Sequence, residues 1–523
     1  MFGVAGLKGE IMGDKDKSGV RSNERRNFLG KGLAAGVMLG TPLAQAAAPK
    51  KARDGIKWDE TVDVIVVGSG LAGLTAAITA AETGASVLLL EKMAAFGGSS
   101  VISGGTFAAC NTPAQKDEGV QDSVERFCAD MMKAGAYLNS PELVRTLAEN
   151  SAAAHQFLVD RGAKYDKELR VVAGHSVKRC YQPTYNMGLN VMQPLLRHFR
   201  SLGSGQLRTR TKVDEIVRDK DGRVVGVKVR AGYLFNPELW SDDRENKSGA
   251  VRYLRARRGV IFTTGGFSRD REFRRREFPQ YEKVPSTVQL GATAGALKLL
   301  MKGGARSIHL AHVRFAISIG YEDIEKGLLV DQRSGKRFIS EGASRMGLSF
   351  KIIEQVNAGS DRPALIYDQK GLDTLYDRDK LHIILNNGEM RRFDSLEALA
   401  QGFKMPTDVL LATVARYNEQ LKAGKDTEFN KDFAKTKSVP IENGPFFACP
   451  VYPKFNYSQG GIAIDARARA ISVDDDEVIP GLFIAGEASG GVHGAVRVTG
   501  CSTVDCTVFG IIAAREAVQM PLV

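Results

Sequence analysis

Cysteine is scarce in this chain: six in 523 residues, at positions 110, 128, 180, 449, 501 and 506. No two are spaced as CxxC, and none opens a CxxCH. That excludes a c-type haem or an iron–sulfur cluster carried by the chain itself, and most of the thiols read as buried and free. No stretch beyond residue 48 is apolar for long enough to cross a membrane. Long basic runs are missing too. The net charge is +12, but residues 1–48 hold seven Lys/Arg against four Asp/Glu and account for three of those charges. The other Lys and Arg are dispersed, apart from short clusters at 252–258 and 269–276 that read as solvated faces. No nucleic-acid partner and no metal site are expected. With 43% hydrophobic and 25% charged residues, the composition is that of a soluble globular protein of two or three domains.

Residues 23–48 read NERRNFLGKGLAAGVMLGTPLAQAAA. Paired Arg25 and Arg26 precede Phe28 and Leu29. A mild apolar stretch and small residues follow, ending in Ala-Gln-Ala at 44–46. This is the layout of a twin-arginine signal peptide over residues 1–48, cleaved near Ala46–Ala48. That route exports folded proteins with their cofactor inserted, so the expected location is the periplasm.

Residues 61–92 carry the strongest chemical signal. An apolar strand at 63–67 runs into Gly68-Ser69-Gly70-Leu71-Ala72-Gly73, and an alanine- and leucine-rich helix begins at once. A second strand at 87–90 ends at Glu91. Glycines in this strand–turn–helix position let backbone approach a pyrophosphate resting on the helix N-terminus, and the acid closing the next strand suits an adenosine ribose. Three further pieces favour FAD over NAD. The loop Lys92 to Gly105 is rich in glycine and serine, with Gly97, Gly98, Ser99, Ser100, Ser103, Gly104 and Gly105 as candidate cofactor contacts. A strand near 259–262 runs on to Thr264, Gly265 and Gly266, and another near 478–484 ends at Gly486 and Glu487. Between them, residues 211–231 read as a hairpin turning at Asp221-Gly222, with Val213 near the adenine. Ser502 and Val504 complete the candidate cofactor set.

Long motifs in a fixed order then bring in a family. The helical stretch 121–152, the segment GKRFISEGASR (335–345) and the segment GEASGGVHGAVRVTG (486–500) resemble the flavin subunit of soluble fumarate reductases, the flavocytochrome c group. The resemblance spans residues 57–523. It implies an α/β fold in which a Rossmann-like FAD-binding domain (57–306 and 459–523) is interrupted by an α+β capping domain (307–458), with substrate between cap and flavin. It implies bound, non-covalent FAD, and reduction of the C=C bond of an α,β-unsaturated carboxylate. The leader runs straight into the FAD strand, so electrons are expected from a separate periplasmic multihaem cytochrome c.

By the same resemblance Arg497 holds the substrate carboxylate, a role suited to a fixed bidentate charge. Its alternative is pairing with a nearby acid such as Asp505. Arg345 matches the family's proton donor, and His312 a histidine at the substrate's far end. His493 shapes the loop near the flavin, and Gly500 lies at the substrate. The chain departs from the fumarate pattern at two places. Tyr457 stands where fumarate reductases carry a second substrate histidine, and Tyr321, Glu322 and Asp323 replace the family's threonine–glutamate pair. A tyrosine donates one hydrogen bond and offers an apolar face. A monocarboxylate enoate is therefore favoured: acrylate, an arylacrylate or urocanate. The alternatives are a fumarate reductase proper, a dehydrogenase of saturated acids or ketosteroids running in reverse, and a flavin electron-transfer protein without alkene chemistry. The insertion at 232–249 has no assignment.

Overall fold

The structure, a computed structural model, describes residues 55–184, 187–317, 319–375 and 378–523. The expected leader lies outside the described residues. The frame is an eight-stranded sheet whose spine is parallel. Its order is Arg469–Ile471, Val478–Ile484, Ala250–Phe262, Glu60–Val67, Val87–Leu90 and Gly205–Arg208. Strand Glu60–Val67 is flanked in parallel by Val87–Leu90 on one side and Ala250–Phe262 on the other. Its inner residues Val64, Ile65 and Val66 are fully buried, as a parallel strand covered on both faces requires. The hairpin of Thr211–Arg218 and Val224–Ala231 pairs antiparallel with the outer half of Ala250–Phe262.

Two helices seal this sheet. Leu71–Ala81 is buried along its whole length, and Cys501–Gln519 packs beside it. Their contact is close because glycine permits it: a Cβ on Gly510 would stand 2.7 Å from the Ala72 carbonyl oxygen.

A second sheet, antiparallel, is built from Leu328–Val330, Ala364–Asp368, Phe446–Pro450 and Arg391–Phe393. Helices Leu396–Gly402 and Thr407–Lys422 pack on it around a separate apolar core that includes Leu328, Ile366, Leu399, Leu410 and Tyr417. The ribbon Val313–Ile317 with Pro453–Ser458 carries the chain into and out of this part. All six cysteines are free, and among the described residues no helix is long and apolar enough to cross a membrane.

Candidate active site

The glycine turn lines a cleft together with Glu91, Val213 and Thr263. Gly68 has φ of +102°, and a Cβ there would meet the Thr263 carbonyl oxygen at 2.5 Å. A Cβ on Gly73 would lie 1.8 Å from the Gly68 oxygen, so strand, turn and helix meet only without side chains at these two positions. Before Gly70 there is room, with the Ser100 hydroxyl the nearest atom at 3.5 Å. Leu71 N–H donates to that hydroxyl at 3.0 Å. Glu91 lies at the cleft wall with its carboxylate mostly engaged. Ser69 donates to Oε2 from its amide (3.1 Å) and hydroxyl (2.6 Å), and Met93 N–H donates to Oε1 at 2.8 Å. A carboxylate has about four acceptor positions, so Glu91 keeps capacity for a ribose hydroxyl while it ties the turn to the strand end.

Of the expected cofactor residues, Gly68, Gly70, Glu91, Lys92, Gly98, Ser99, Val213, Thr264, Gly265 and Glu487 line the cleft. Leu71, Ala72 and Gly73 are buried in the helix that follows the turn and do not line the cleft. Gly97 N–H donates to Ser69 Oγ at 2.9 Å and holds the following loop against the turn. The Ser103 hydroxyl donates to the Ser100 carbonyl and accepts from Gly105 N–H, so Ser103, Gly104 and Gly105 form a self-braced bend. Gly266 makes room for Glu487, whose Oε1 would lie 2.3 Å from a Cβ there. Gly486 sits against Ala72 and Cys506. Val504 is buried in the closing helix and Ser502 is half-buried.

Several cleft residues were invisible to sequence reasoning, among them Lys212, Gln289, Thr293 and Asp243. Asp243 comes from the unassigned insertion 232–249. Lys92 Nζ lies 3.6 Å and Lys212 Nζ 3.9 Å from its Oδ1, and Lys92 also donates to the Thr293 hydroxyl at 2.6 Å. Burial pushes the Asp243 carboxyl up, but the two lysines outweigh it and the pKa ends below its ordinary value. Its Oδ1 is buried without a hydrogen-bond partner. A glycine cradle, a helix N-terminus, a strand-end acid and this orphaned oxygen fit FAD.

Beyond Glu487 the chain turns into the site expected for substrate. Ser458 N–H donates to Glu487 Oε1 at 2.7 Å, and burial pushes the Glu487 carboxyl up to about 7. Arg497 is 8% exposed. Its Nη1 donates to the Val498 carbonyl at 3.0 Å, its Nε has no partner, and its guanidinium lies 4.6 Å above the Tyr457 ring. The pairing with Asp505 does not form. Asp505 Oδ2 instead accepts from Tyr457 Oη at 3.3 Å and from His493 Nε2 at 3.0 Å. Burial lowers the His493 pKa against the raising effect of its hydrogen bond to Asp505. The Tyr457 hydroxyl, expected to serve the substrate's far end, thus points inward to Asp505, while its ring face carries Arg497.

Arg345 is the first residue of helix Arg345–Asn357, which Ser344 caps by accepting from Gly347 N–H at 3.1 Å. At that end the helix dipole opposes a positive charge by about 0.3–1 kcal/mol. His312 is half-buried, its ring perpendicular to that of His309 at 5.9 Å, and its carbonyl accepts from Gln459 N–H at 3.0 Å. Glu322 is exposed, Asp323 is buried, and the Tyr321 side chain lies outside the described residues. Gly500 caps the closing helix. Sequence reasoning passed over Arg314. It is 6% exposed, stands opposite Tyr457 across the ribbon, and donates to Asn456 Oδ1 (3.2 Å) and Thr499 Oγ1 (3.1 Å).

Comparison with known proteins adds four matches. The FAD binding domain family profile matches residues 63–503. The acrylate reductase flavoprotein subunit of Shewanella woodyi is 36% identical, over 97% of this chain and 100% of that protein. The urocanate reductase of Eggerthella lenta is 31% identical, over 90% of this chain and 77% of that protein. Among solved structures, the open conformation of a flavocytochrome c3 fumarate reductase superposes with a TM-score of 0.76. It is 29% identical, over 88% of this chain and 79% of that one.

Proposed function

The chain belongs to the FAD binding domain family, and from that premise we propose that it is a reductase saturating the C=C bond of a small α,β-unsaturated monocarboxylate, of the acrylate kind. It binds FAD and acts as an oxidoreductase on an enoate double bond. The observation that carries the narrower reading is the partnering of Tyr457. With its hydroxyl given to Asp505 and its ring under Arg497, this position offers a distal carboxylate no donor. Full-length similarity to an acrylate reductase subunit supports the same choice.

In this reading Gly68, Gly70, Glu91, Lys92 and Asp243 would hold the adenosine and pyrophosphate of FAD, with Glu487 also lining the cleft. When bound, FAD would supply the hydride that saturates the double bond. Arg497 grips the carboxylate, withdrawing electron density from the alkene and fixing its orientation. Tyr457, held by Asp505 and His493, keeps the Arg497 guanidinium in place. Arg345 gives a proton to the α-carbon and is reprotonated at once, a role the helix dipole favours by disfavouring its charged form. Residues 307–458 act as the cap that keeps water from the site. The protein works in the periplasm after twin-arginine export and receives electrons from a separate cytochrome c.

The test is anaerobic reoxidation of reduced methyl viologen by the FAD-loaded protein with acrylate, methacrylate, crotonate, cinnamate, urocanate and fumarate. Fast turnover of acrylate with little of fumarate is expected. Faster turnover of fumarate would make this a dicarboxylate enzyme, and silence with every enoate would end the reductase reading.

A further inference from the structure

We propose that Arg314 is a second carboxylate-binding residue, closing with Arg497 a two-arginine clamp on one substrate carboxylate. The proposal rests on the enoate reading above. Arg314 and Tyr457 are directly opposed across the antiparallel ribbon, so their side chains share a face. Arg497 lies over the Tyr457 ring on that face. The two guanidiniums are also tethered to neighbouring residues of one loop. Arg497 donates to the Val498 carbonyl and Arg314 to the Thr499 hydroxyl. The loop is held in turn by His175, whose Nε2 lies 2.7 Å from the Thr499 carbonyl oxygen.

The company of Arg314 is the second argument. The two N–H groups that donate reach neutral oxygens, those of Asn456 and Thr499. Among the described residues no carboxylate lies within ion-pair distance of Arg314 or Arg497. Burial drives the Arg314 pKa well down, and the charges of Arg497 and Arg345 add to the effect, with Glu322 as the one opposing charge. A buried guanidinium without an anion costs stability. Two brought together, Arg314 and Arg497, cost more, and an anionic ligand reverses the sign. A planar carboxylate with two oxygens and four acceptor positions can accept from both forks. A neutral alkene cannot, so the clamp selects for the carboxylate itself.

The experiment compares the FAD-loaded protein with its Arg314→Met and Arg314→Lys variants. Each is titrated with propionate, a saturated carboxylate that cannot turn over, and the perturbation of flavin absorbance is read. Melting temperature and FAD content are recorded alongside. The clamp predicts about a tenfold or greater rise in Kd for Arg314→Met at unchanged FAD content and without a fall in melting temperature. It predicts an intermediate rise for Arg314→Lys, which keeps charge but loses the fork. An unchanged Kd with a lower melting temperature would make Arg314 a structural residue and overturn the proposal. Arg314→Lys decides the matter if Arg314→Met fails to fold. If the unsubstituted protein responds neither to propionate nor to acrylate, the enoate reading fails and takes the clamp with it. Response in that protein with equal response in both variants removes the clamp alone.

Discussion

Two buried arginines of this chain keep opposite company. In the antiparallel-sheet part, Arg337 is paired on every side. Its side chain is 1% exposed and lies 2.9 Å from Glu341 and 2.8 Å from Asp426, and Lys431 reaches Glu341 at 3.2 Å. Burial opposes the charge of Arg337, but its hydrogen bonds to these acids and their charges more than offset it and raise its pKa. At the candidate active site, Arg497 and Arg314 are nearly as buried and donate to neutral oxygens only. A guanidinium that brings its own carboxylates is scaffold. At the site, an anionic ligand would supply the charge that the partners of Arg497 and Arg314 lack. Arg179, fully buried between Asp122 and Asp130, is paired in the same way as Arg337.

The largest effect expected from breaking this contrast is at Arg497. Arg497→Met should lower kcat/KM for the best enoate by about a thousandfold, on the order of 4 kcal/mol, since two charge-assisted hydrogen bonds are lost. FAD content and melting temperature should hold. A melting temperature that falls while the remaining folded protein turns over normally would place Arg497 with Arg337.

Glu341→Gln attacks the other side. Removing one member of a buried ionic network strands the rest, at about 3 kcal/mol or more. Chemical denaturation should show that loss, with turnover per folded, FAD-loaded molecule little changed. A large drop in turnover at constant stability would tie the network to Arg345 directly, because residues 335–345 join the two.

The two regions should also respond to pH with opposite signs. Burial pushes the Asp426 carboxyl up, but Arg337 and backbone donors outweigh it and hold it at about 2. A depressed carboxyl contributes stability above its unfolded pKa near 4, and loses it as pH falls toward 2. Glu487, pushed up to about 7 by burial, contributes stability that is full below its unfolded value near 4.5 and is lost as pH rises through 7. Melting curves of the apo-protein between pH 5 and 8 should therefore fall less steeply in Glu487→Gln, by a few degrees at the alkaline end. An identical slope in both proteins would remove Glu487 from the account.

The smallest effect is expected at Tyr457. Tyr457→Phe keeps the ring beneath Arg497 and deletes one hydrogen bond to Asp505, worth about 1 kcal/mol. A several-fold change in kcat with KM little altered fits a positioning role. A KM rise of tenfold or more would return the hydroxyl to the substrate.

Much of the cofactor half was legible in the chain. Gly68, Gly70 and Glu91 lie within one strand–turn–helix–strand unit, where backbone sterics and short-range periodicity set the geometry. Arg497 and Tyr457 were found by motif order. Arg314 was not, because a single arginine in an alternating strand looks like any other edge residue. Asp243 was hidden in a polar insertion whose partners, Lys92 in a loop and Lys212 on a strand, are distant along the chain.

The sequence alone therefore determined the strand–turn–helix–strand unit and its glycine turn. These follow from contacts between residues close along the chain, such as Ser69 and Glu91, 22 positions apart. Tertiary structure decided which charges would be paired. Arg314 meets Asn456 across 142 positions and Thr499 across 185, and Tyr457 meets Asp505 across 48. Local pattern carries no record of such meetings, because a side chain's charge is written in the sequence while its partner is supplied only when distant strands close over it.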